Sequence, residues 1–234
     1  MIFYLLLLFI AIFIVKHVYE IHNYNHVAQL EQLQSANKEE ISTFLKERSP
    51  LLIHNLGNKY EEYNNLSFLK LSDDNPGHII PDKNRYLSLK SFVDEKQMYI
   101  YKNETLYDSL RLKQLFDTIY EPFKSQIHCR TNYYMSLLKG KNSLPLVHNK
   151  HNLHLICQIY GSSKIYLFNP KHKSDIMNKD SSAIKKYGQK INLTQGLVLY
   201  VPVEWLYLIE TEDESITGEI ESDNYFTVIY NNLR

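Results

Sequence analysis

The sequence predicts a mainly β domain with a helical lead, preceded by one transmembrane helix at the N-terminus. Three observations lead to this prediction. Short apolar stretches separated by turn residues follow one another from Tyr133 to the C-terminus. Segments with helical periodicity precede them, and the chain opens with a run that is apolar on every face. Many short strands with regular turns are typical of a barrel or a sandwich.

The predicted transmembrane helix covers residues 1–18. From Ile2 to Val15 the chain contains no charged, amide, glycine or proline residue, and Lys16 and His17 close the run. No basic residue precedes the run and no small-x-small cleavage pattern follows it, which favours an uncleaved signal-anchor over a removable signal peptide. We therefore expect a single-pass membrane protein anchored at its N-terminus. The side of the membrane stays open, because Lys16 is the only basic side chain close to the span.

Composition bears on the class of partner. Lysine and arginine together number 26 and aspartate and glutamate also number 26, so there is no electrostatic case for nucleic acid. The two cysteines, Cys129 and Cys157, do not make a disulfide framework. The expected partners are the membrane and a protein, and no nucleic acid.

Residues 19–37 and 38–234 are predicted to be a helical stalk and a single domain. The stalk carries an apolar stripe at spacings of three residues, which indicates a helix. The domain is expected to begin with a helix over 38–48, followed by a buried strand at 51–55 and a second helix over 104–128.

The second half of the chain is predicted to form strands. A polar stretch at 171–190 is interpreted as a partly helical insertion between them. The predicted strands cover residues 133–138, 154–160, 164–168, 191–193, 197–203, 206–210 and 225–231.

Two stretches carry a resemblance to a known family. Met135–Pro170 reads MSLLKGKNSLPLVHNKHNLHLICQIYGSSKIYLFNP, and Gly196–Glu210 reads GLVLYVPVEWLYLIE. Together they resemble the JmjC-type cupins, which are iron(II)- and 2-oxoglutarate-dependent dioxygenases. The resemblance covers residues 38–234 and implies a double-stranded β-helix, or jelly-roll, for the domain.

The resemblance also implies a metal site formed by two histidines and one carboxylate. His148 stands at the first histidine position, Lys150 at the carboxylate position and Tyr207 at the second histidine position. An ammonium group cannot donate a lone pair to a metal, and its charge opposes a cation. Only one of the three implied ligands is therefore kept, and His148 is the candidate metal ligand.

Cosubstrate binding is implied at two further positions. The family's lysine falls on Ser163, with Lys164 one residue later, and the family's asparagine falls on His154. An offset of one residue turns a strand side chain to the opposite face, unless a bulge restores it. Lys164 and His154 are the candidate cofactor-binding residues.

The expected function is that of a membrane-anchored, non-catalytic binding or structural component. No catalytic residue and no cofactor are assigned. His148, Lys150 and His154 are expected to face the barrel interior, with Tyr207 opposite, in a polar pocket. Two alternatives stay open. One is an oxygenase that uses iron(II) and 2-oxoglutarate with atypical ligands, and the other is a small-anion binder.

Overall fold

The structure is a computed structural model of the 234-residue chain. It describes residues 2–22, 28–54, 67–75, 78–82, 85–110, 112–177 and 179–233. Part of the predicted stalk at 19–37 lies outside these residues.

The N-terminal helix is the first point at which the structure corrects the prediction. Helix α1 spans Ile2–His22. Among the described residues, no helix combines the length and apolar character needed to cross a membrane. At about 1.5 Å per residue, the uninterrupted apolar run of residues 2–15 covers roughly 21 Å, whereas a bilayer core measures about 30 Å. The predicted transmembrane helix at 1–18 and the single-pass localisation are therefore wrong, and so is the fold class in this respect.

The end of α1 contacts the C-terminal helix. His17 Nε2 lies 2.9 Å from Thr227 Oγ1, and the Phe13 ring stacks on that of Phe226 at a centroid distance of 6.4 Å. Earlier in α1, large apolar side chains such as those of Phe3 and Leu8 are exposed.

Nine α-helices are present in the described part of the chain. They are α1 (Ile2–His22), α2 (Lys38–Glu47), α3 (Phe68–Asp74), α4 (Leu89–Asp94), α5 (Glu104–Ser109), α6 (Lys113–Tyr120), α7 (Lys173–Ile176), α8 (Ser181–Ile184) and α9 (Tyr225–Leu233). Short 3-10 turns occupy Glu121–Phe123, Pro170–His172 and Lys185–Tyr187. The predicted partly helical insertion at 171–190 is confirmed.

The fold is rich in sheet. Its strands are β1 (Glu31–Leu33), β2 (Leu51–Ile53), β3 (Ile79–Asp82), β4 (Arg85–Ser88), β5 (Met98–Asn103), β6 (His128–Lys139), β7 (Asn142–Ser143), β8 (Val147–His148), β9 (Leu153–Phe168), β10 (Gln189–Thr194), β11 (Val198–Tyr200), β12 (Leu206–Thr211) and β13 (Ser215–Asn224). Strands β3 and β4 form a hairpin, and the other strands form one mixed sheet of eleven strands over the described residues.

Strand β9 connects two portions of this sheet. The first half of β9 belongs to the first portion, whose strand order is β1-β2-β11-β9-β13-β6-β5. The second half of β9 pairs with β10 and β12 in the second portion, where β12 also pairs with β7 and β8. The change of partner occurs at Gly161, which has a φ of 69°. A Cβ atom there would lie 2.0 Å from the carbonyl oxygen of Glu214, so only glycine fits the crossing.

The two portions of the sheet face each other across an apolar layer, called here the inner layer. Ile156 and Leu199 from the first portion pack there with Ile165 and Tyr207 from the second. The opposite face of the first portion packs on the helices, where Phe116 of α6 and Phe92 of α4 are fully buried. A third cluster, on the outer side of β12, includes Leu206, Leu208 and the helices of the insertion.

Four local predictions differ from the structure, and the first is that the predicted strands at 154–160 and 164–168 are one strand, β9. The predicted helix over 104–128 is broken into α5, α6 and a 3-10 turn. The predicted strand at 225–231 is helix α9, whose first turn is held by a 2.9 Å hydrogen bond from Thr227 N to Asn224 Oδ1. Residues 31–33 of the predicted helical stalk form β1, because they pair in parallel with β2.

Candidate functional site

The inner layer contains a cluster of ionisable side chains, called here the inner cluster. It consists of His154 on β9, Glu219 and Glu221 on β13, Lys102 on β5 and Tyr207 on β12. His154 and Glu221 are cross-strand partners, and Glu219 shares their face because side chains two residues apart on a strand point the same way. The site is therefore built by sheet pairing between distant segments.

Glu219 is the centre of the inner cluster. Its Oε2 lies 2.8 Å from His154 Nε2 and 3.2 Å from the Lys102 ammonium, and it accepts a hydrogen bond of 3.2 Å from the Tyr207 hydroxyl. Lys102 also donates a short hydrogen bond to Glu221 Oε1. Because one ammonium contacts both carboxylates, Lys102 is their common counter-ion.

The pKa values follow from this arrangement. Burial disfavours the Glu219 carboxylate, but Lys102 and His154 outweigh it and lower the pKa of Glu219. Burial likewise opposes the Lys102 ammonium, whose pKa is nevertheless raised by Glu219, Tyr101 and Glu221. Burial and the charge of Lys102 lower the pKa of His154. At neutral pH the inner cluster therefore holds two carboxylates, one ammonium and a neutral imidazole.

Two buried atoms of the inner cluster have no hydrogen-bond partner among the described residues, Glu219 Oε1 and His154 Nδ1. An ionised carboxylate only accepts, so His154 must donate through Nε2 to Glu219, which leaves the lone pair of Nδ1 free. His154, Glu219 and Glu221 each offer one ligand atom within 4.8 Å of the other two. The inner cluster thus has the donor atoms of a metal site, with an ammonium among them.

Lys102 is held by an irregular backbone. The pairing of β5 with β6 shifts register between Ile100 and Asn103, and Lys102 has a φ of 50°, in the left-handed region. Its N–H donates to Ser136 Oγ at 3.0 Å, and its ammonium lies 5.7 Å from the centroid of the Tyr101 ring. A left-handed conformation is costly for a lysine, so the surrounding contacts must maintain it.

A histidine continues the ionic contacts toward the surface. His151 Nε2 lies 3.1 Å from Glu221 Oε2, and its Nδ1 lies 2.8 Å from Asp223 Oδ2. Partial burial opposes the charged imidazole, but hydrogen bonds to Asp223 and Glu221 raise the pKa of His151 to about 9. The same contacts and the neighbouring cations hold the pKa of Glu221 well below its ordinary value, against the effect of burial.

His148, the candidate metal ligand, lies on the other side of β12. It pairs with Leu206, whereas Tyr207 pairs with Val147, so His148 and Tyr207 point to opposite faces. Its Nε2 lies 2.9 Å from Glu204 Oε2, and Lys173 Nζ lies 3.2 Å from the same oxygen. His148, Glu204 and Lys173 are called here the outer group.

The next residue, Asn149, fixes the backbone beside His148. Its side-chain amide is buried and donates to the carbonyls of Val201 and Pro202 at 2.9 and 3.0 Å. Lys150, at the implied carboxylate position, is exposed, and its carbonyl accepts a 3.0 Å hydrogen bond from Asn231. Of the residues expected to share an interior pocket, the structure brings together His154 and Tyr207 and separates them from His148 and Lys150.

The implied cosubstrate positions are also separated. Ser163 is buried and its hydroxyl lies 2.8 Å from that of Ser215. The next residue, Lys164, points to the opposite face and pairs with Glu212. The pairing of β9 with β10 continues without a register shift past Ser163, so no bulge restores Lys164 to the interior. His154 is inside, but its partner is Glu219.

The side chains at the implied positions do not fit a facial iron site. His148 and Tyr207 cannot contact one ion from opposite faces of β12, and the Lys150 ammonium has no lone pair to donate. The donors that do converge are His154, Glu219 and Glu221.

Sequence reasoning missed Lys102, Glu219 and Glu221. The segment from Thr217 to Asn224 is not among the predicted strands, and its glycine, serine, aspartate and asparagine residues are typical of turns. One signal was available, since acidic residues alternate along this segment at 219, 221 and 223. Such alternation is typical of one face of a strand.

Comparison with known proteins gives no family assignment. No protein-family model matches the chain, and no curated protein matches it.

Proposed function

We propose that this chain is a non-catalytic relative of the JmjC-type cupins that serves as a binding or structural component. The observation that carries the proposal is the position of Lys102. Its ammonium contacts both Glu219 and Glu221 in the inner layer, where the donor atoms converge. The cluster thereby has its own counter-ion and is filled by a residue of the chain.

The contacts of the remaining residues support the same proposal. Tyr207 is fully buried and donates to Glu219, so its hydroxyl already has a structural partner. Desolvation and the nearby Glu219 charge raise the pKa of Tyr207 well above its ordinary value, which disfavours the phenolate that a metal would need. These groups act together as a buried polar network whose members hold one another in place.

The buried network suits a structural role. It joins β5, β9, β12 and β13, so it links both portions of the sheet through hydrogen bonds and ion pairs. Both carboxylates in it contact the Lys102 ammonium, and we expect the interaction surfaces of such a protein to be on its exterior. The expected partner is a protein.

Iron content and turnover test the proposal. The full chain is purified, loaded anaerobically with iron(II) and supplied with 2-oxoglutarate, and its bound iron and succinate formation are measured. We expect less than stoichiometric iron and no succinate above a no-protein blank. The matched control is His148→Ala, which should leave both readings unchanged.

One result would overturn the proposal. Stoichiometric iron together with succinate formation, both lost in His148→Ala, would show an active oxygenase with atypical ligands. A melting temperature equal to that of the unsubstituted chain would show that the variant is folded.

A further inference from the structure

We infer that Lys102 is a tethered cation in a divalent-metal site formed by His154, Glu219 and Glu221, and that it competes with metal ions such as Zn²⁺ for this site. The inference goes beyond the proposed function and rests on it in one respect, since both take Lys102 to fill the inner cluster. The metal site concerns residues other than His148, Lys150 and Tyr207.

The donor set suits Zn²⁺. It offers one imidazole nitrogen and two carboxylates, and nitrogen and oxygen ligands bind this ion at about 2.0–2.2 Å. Two ligand atoms on one ion are therefore at most about 4.4 Å apart. The ligand atoms of His154, Glu219 and Glu221 already lie within 4.8 Å of one another, so a small contraction would close the site.

Unpartnered atoms point to a ligand at this place. Glu219 and His154 are almost completely buried, with relative exposures of 0 % and 1 %, yet Glu219 Oε1 and His154 Nδ1 have no hydrogen-bond partner in the described part of the chain. Buried polar atoms are normally paired, and an unpaired one calls for an explanation. The lone pairs of Glu219 Oε1 are available to a cation, and His154 can bind one through Nε2 when its proton is on Nδ1.

Charge also favours the exchange. Two carboxylates, with a combined charge of about −2, face the single Lys102 ammonium. One ammonium neutralises half of this charge, whereas one divalent ion neutralises it completely. A divalent ion is therefore the better counter-ion once Lys102 has left.

The Lys102 side chain lies where it can move out of the inner cluster. Strand β5 is the edge strand of its portion of the sheet, and the Lys102 side chain is 21 % exposed. The backbone at Lys102 is in the left-handed region, which is costly for a lysine. The rings of Tyr101 and Tyr134 lie 5.7 and 5.8 Å from the ammonium.

Removing the ammonium tests the competition directly. Lys102→Met keeps most of the length of the side chain and removes its charge, and Zn²⁺ binding to the full chain is measured by titration calorimetry. If Lys102 vacates the site less than a tenth of the time, the variant binds Zn²⁺ at least about tenfold more tightly than the unsubstituted chain. The gain should disappear in Lys102→Met/Glu219→Gln and in Lys102→Met/His154→Ala.

Two results would overturn the inference. One is a folded Lys102→Met variant that binds Zn²⁺ no more tightly than the unsubstituted chain. The other is a gain in affinity that survives Glu219→Gln, which would place the ion elsewhere, for example at His151. Either result leaves the iron and succinate measurements unaffected, so it can be distinguished from failure of the proposed function.

Folding of the variant is checked separately, because two buried carboxylates without a counter-ion oppose folding. If Lys102→Met folds only with Zn²⁺ and not with Mg²⁺, the inference is supported. If it folds with neither, Lys102→Gln takes its place, since its amide carries no charge, still donates hydrogen bonds to the carboxylates and leaves all three ligands in place. A rise in its melting temperature with Zn²⁺ supports the inference, and the absence of such a rise overturns it.

Discussion

The inner cluster and the outer group lie on opposite sides of β12, and each holds a histidine against a glutamate. His154 contacts Glu219 at 2.8 Å in the inner cluster, and His148 contacts Glu204 at 2.9 Å in the outer group. The two differ in exposure, since the His154 side chain is 1 % exposed and that of His148 is 15 % exposed. His148, the candidate metal ligand from the family resemblance, is in the outer group. The side chains whose donor atoms converge are in the inner cluster. Resemblance at one position of a strand therefore does not determine which face carries the site.

The largest expected effect is that of Glu219→Gln. The substitution leaves the Lys102 ammonium with one carboxylate fewer and weakens the contacts of His154 and Tyr207. Breaking a buried ion pair from one side typically costs about 3–5 kcal/mol, and we expect a loss of this order in the free energy of unfolding, measured with urea.

The matched control for this prediction is Thr217→Val, on the same face of β13. Thr217 Oγ1 is buried without a hydrogen-bond partner among the described residues, so the isosteric change should be neutral or slightly stabilising. A loss for Glu219→Gln no greater than that for Thr217→Val would mean that the inner cluster adds no stability.

The second prediction concerns pH and His151, which extends the inner cluster toward the surface. Its pKa in the folded chain is about 9, above the usual value of about 6.5. The protonated form therefore stabilises the fold fully below about pH 6.5, and this contribution is lost as the pH rises toward 9. The shift corresponds to a contribution on the order of 3 kcal/mol.

The measurement is the free energy of unfolding at pH 6 and pH 9. The unsubstituted chain should lose more stability between these values than His151→Gln, whose neutral amide does not titrate. An equal loss in both proteins would remove His151 from the ionic contacts of Glu221 and Asp223.

A smaller loss is expected for Glu204→Gln in the outer group. Glu204 is buried, but its partners are more exposed, with Lys173 at 31 % and His148 at 15 %. Loss of a hydrogen bond to a charged group costs about 1.5–3 kcal/mol, and partial exposure should hold the effect near the lower figure. A loss in urea unfolding larger than that of Glu219→Gln would reverse the order of the two regions.

The smallest effect is expected for Lys164→Ala. Lys164 lies on the surface and pairs with Glu212, which is 67 % exposed, and exposed pairs add little to stability. We expect no change in melting temperature and no change in any 2-oxoglutarate binding measured by calorimetry. Loss of 2-oxoglutarate binding in this variant would restore Lys164 as a cosubstrate residue.

Local periodicity predicted several elements that the structure confirms. The predicted strand at 133–138 lies within β6, and the predicted helix over 38–48 is α2, with Ile41 fully buried. Predictions were wrong where the residue types are compatible with both a helix and a strand. The aromatic and β-branched residues of 225–231 suit a strand, yet Asn224 holds the first turn of a helix there.

The inner cluster was beyond prediction from local pattern. His154 and Glu219 are 65 residues apart, and Lys102 and Glu219 are 117 apart in the numbering. Their contact depends on the pairing of β9 with β13 and on the register shift in β5. A shift of one residue in either pairing would turn the charged side chains to the other face.

The sequence by itself determined the predominance of strands in the second half, the helix and strand at 38–53, and the polar insertion. These follow from short-range periodicity, which each segment carries alone. Only the tertiary structure decided that His148 faces Glu204, that Lys102 is the counter-ion of Glu219 and Glu221, and that α1 contacts α9. Faces and ion pairs depend on strand register, and register is set between distant segments by what each buries.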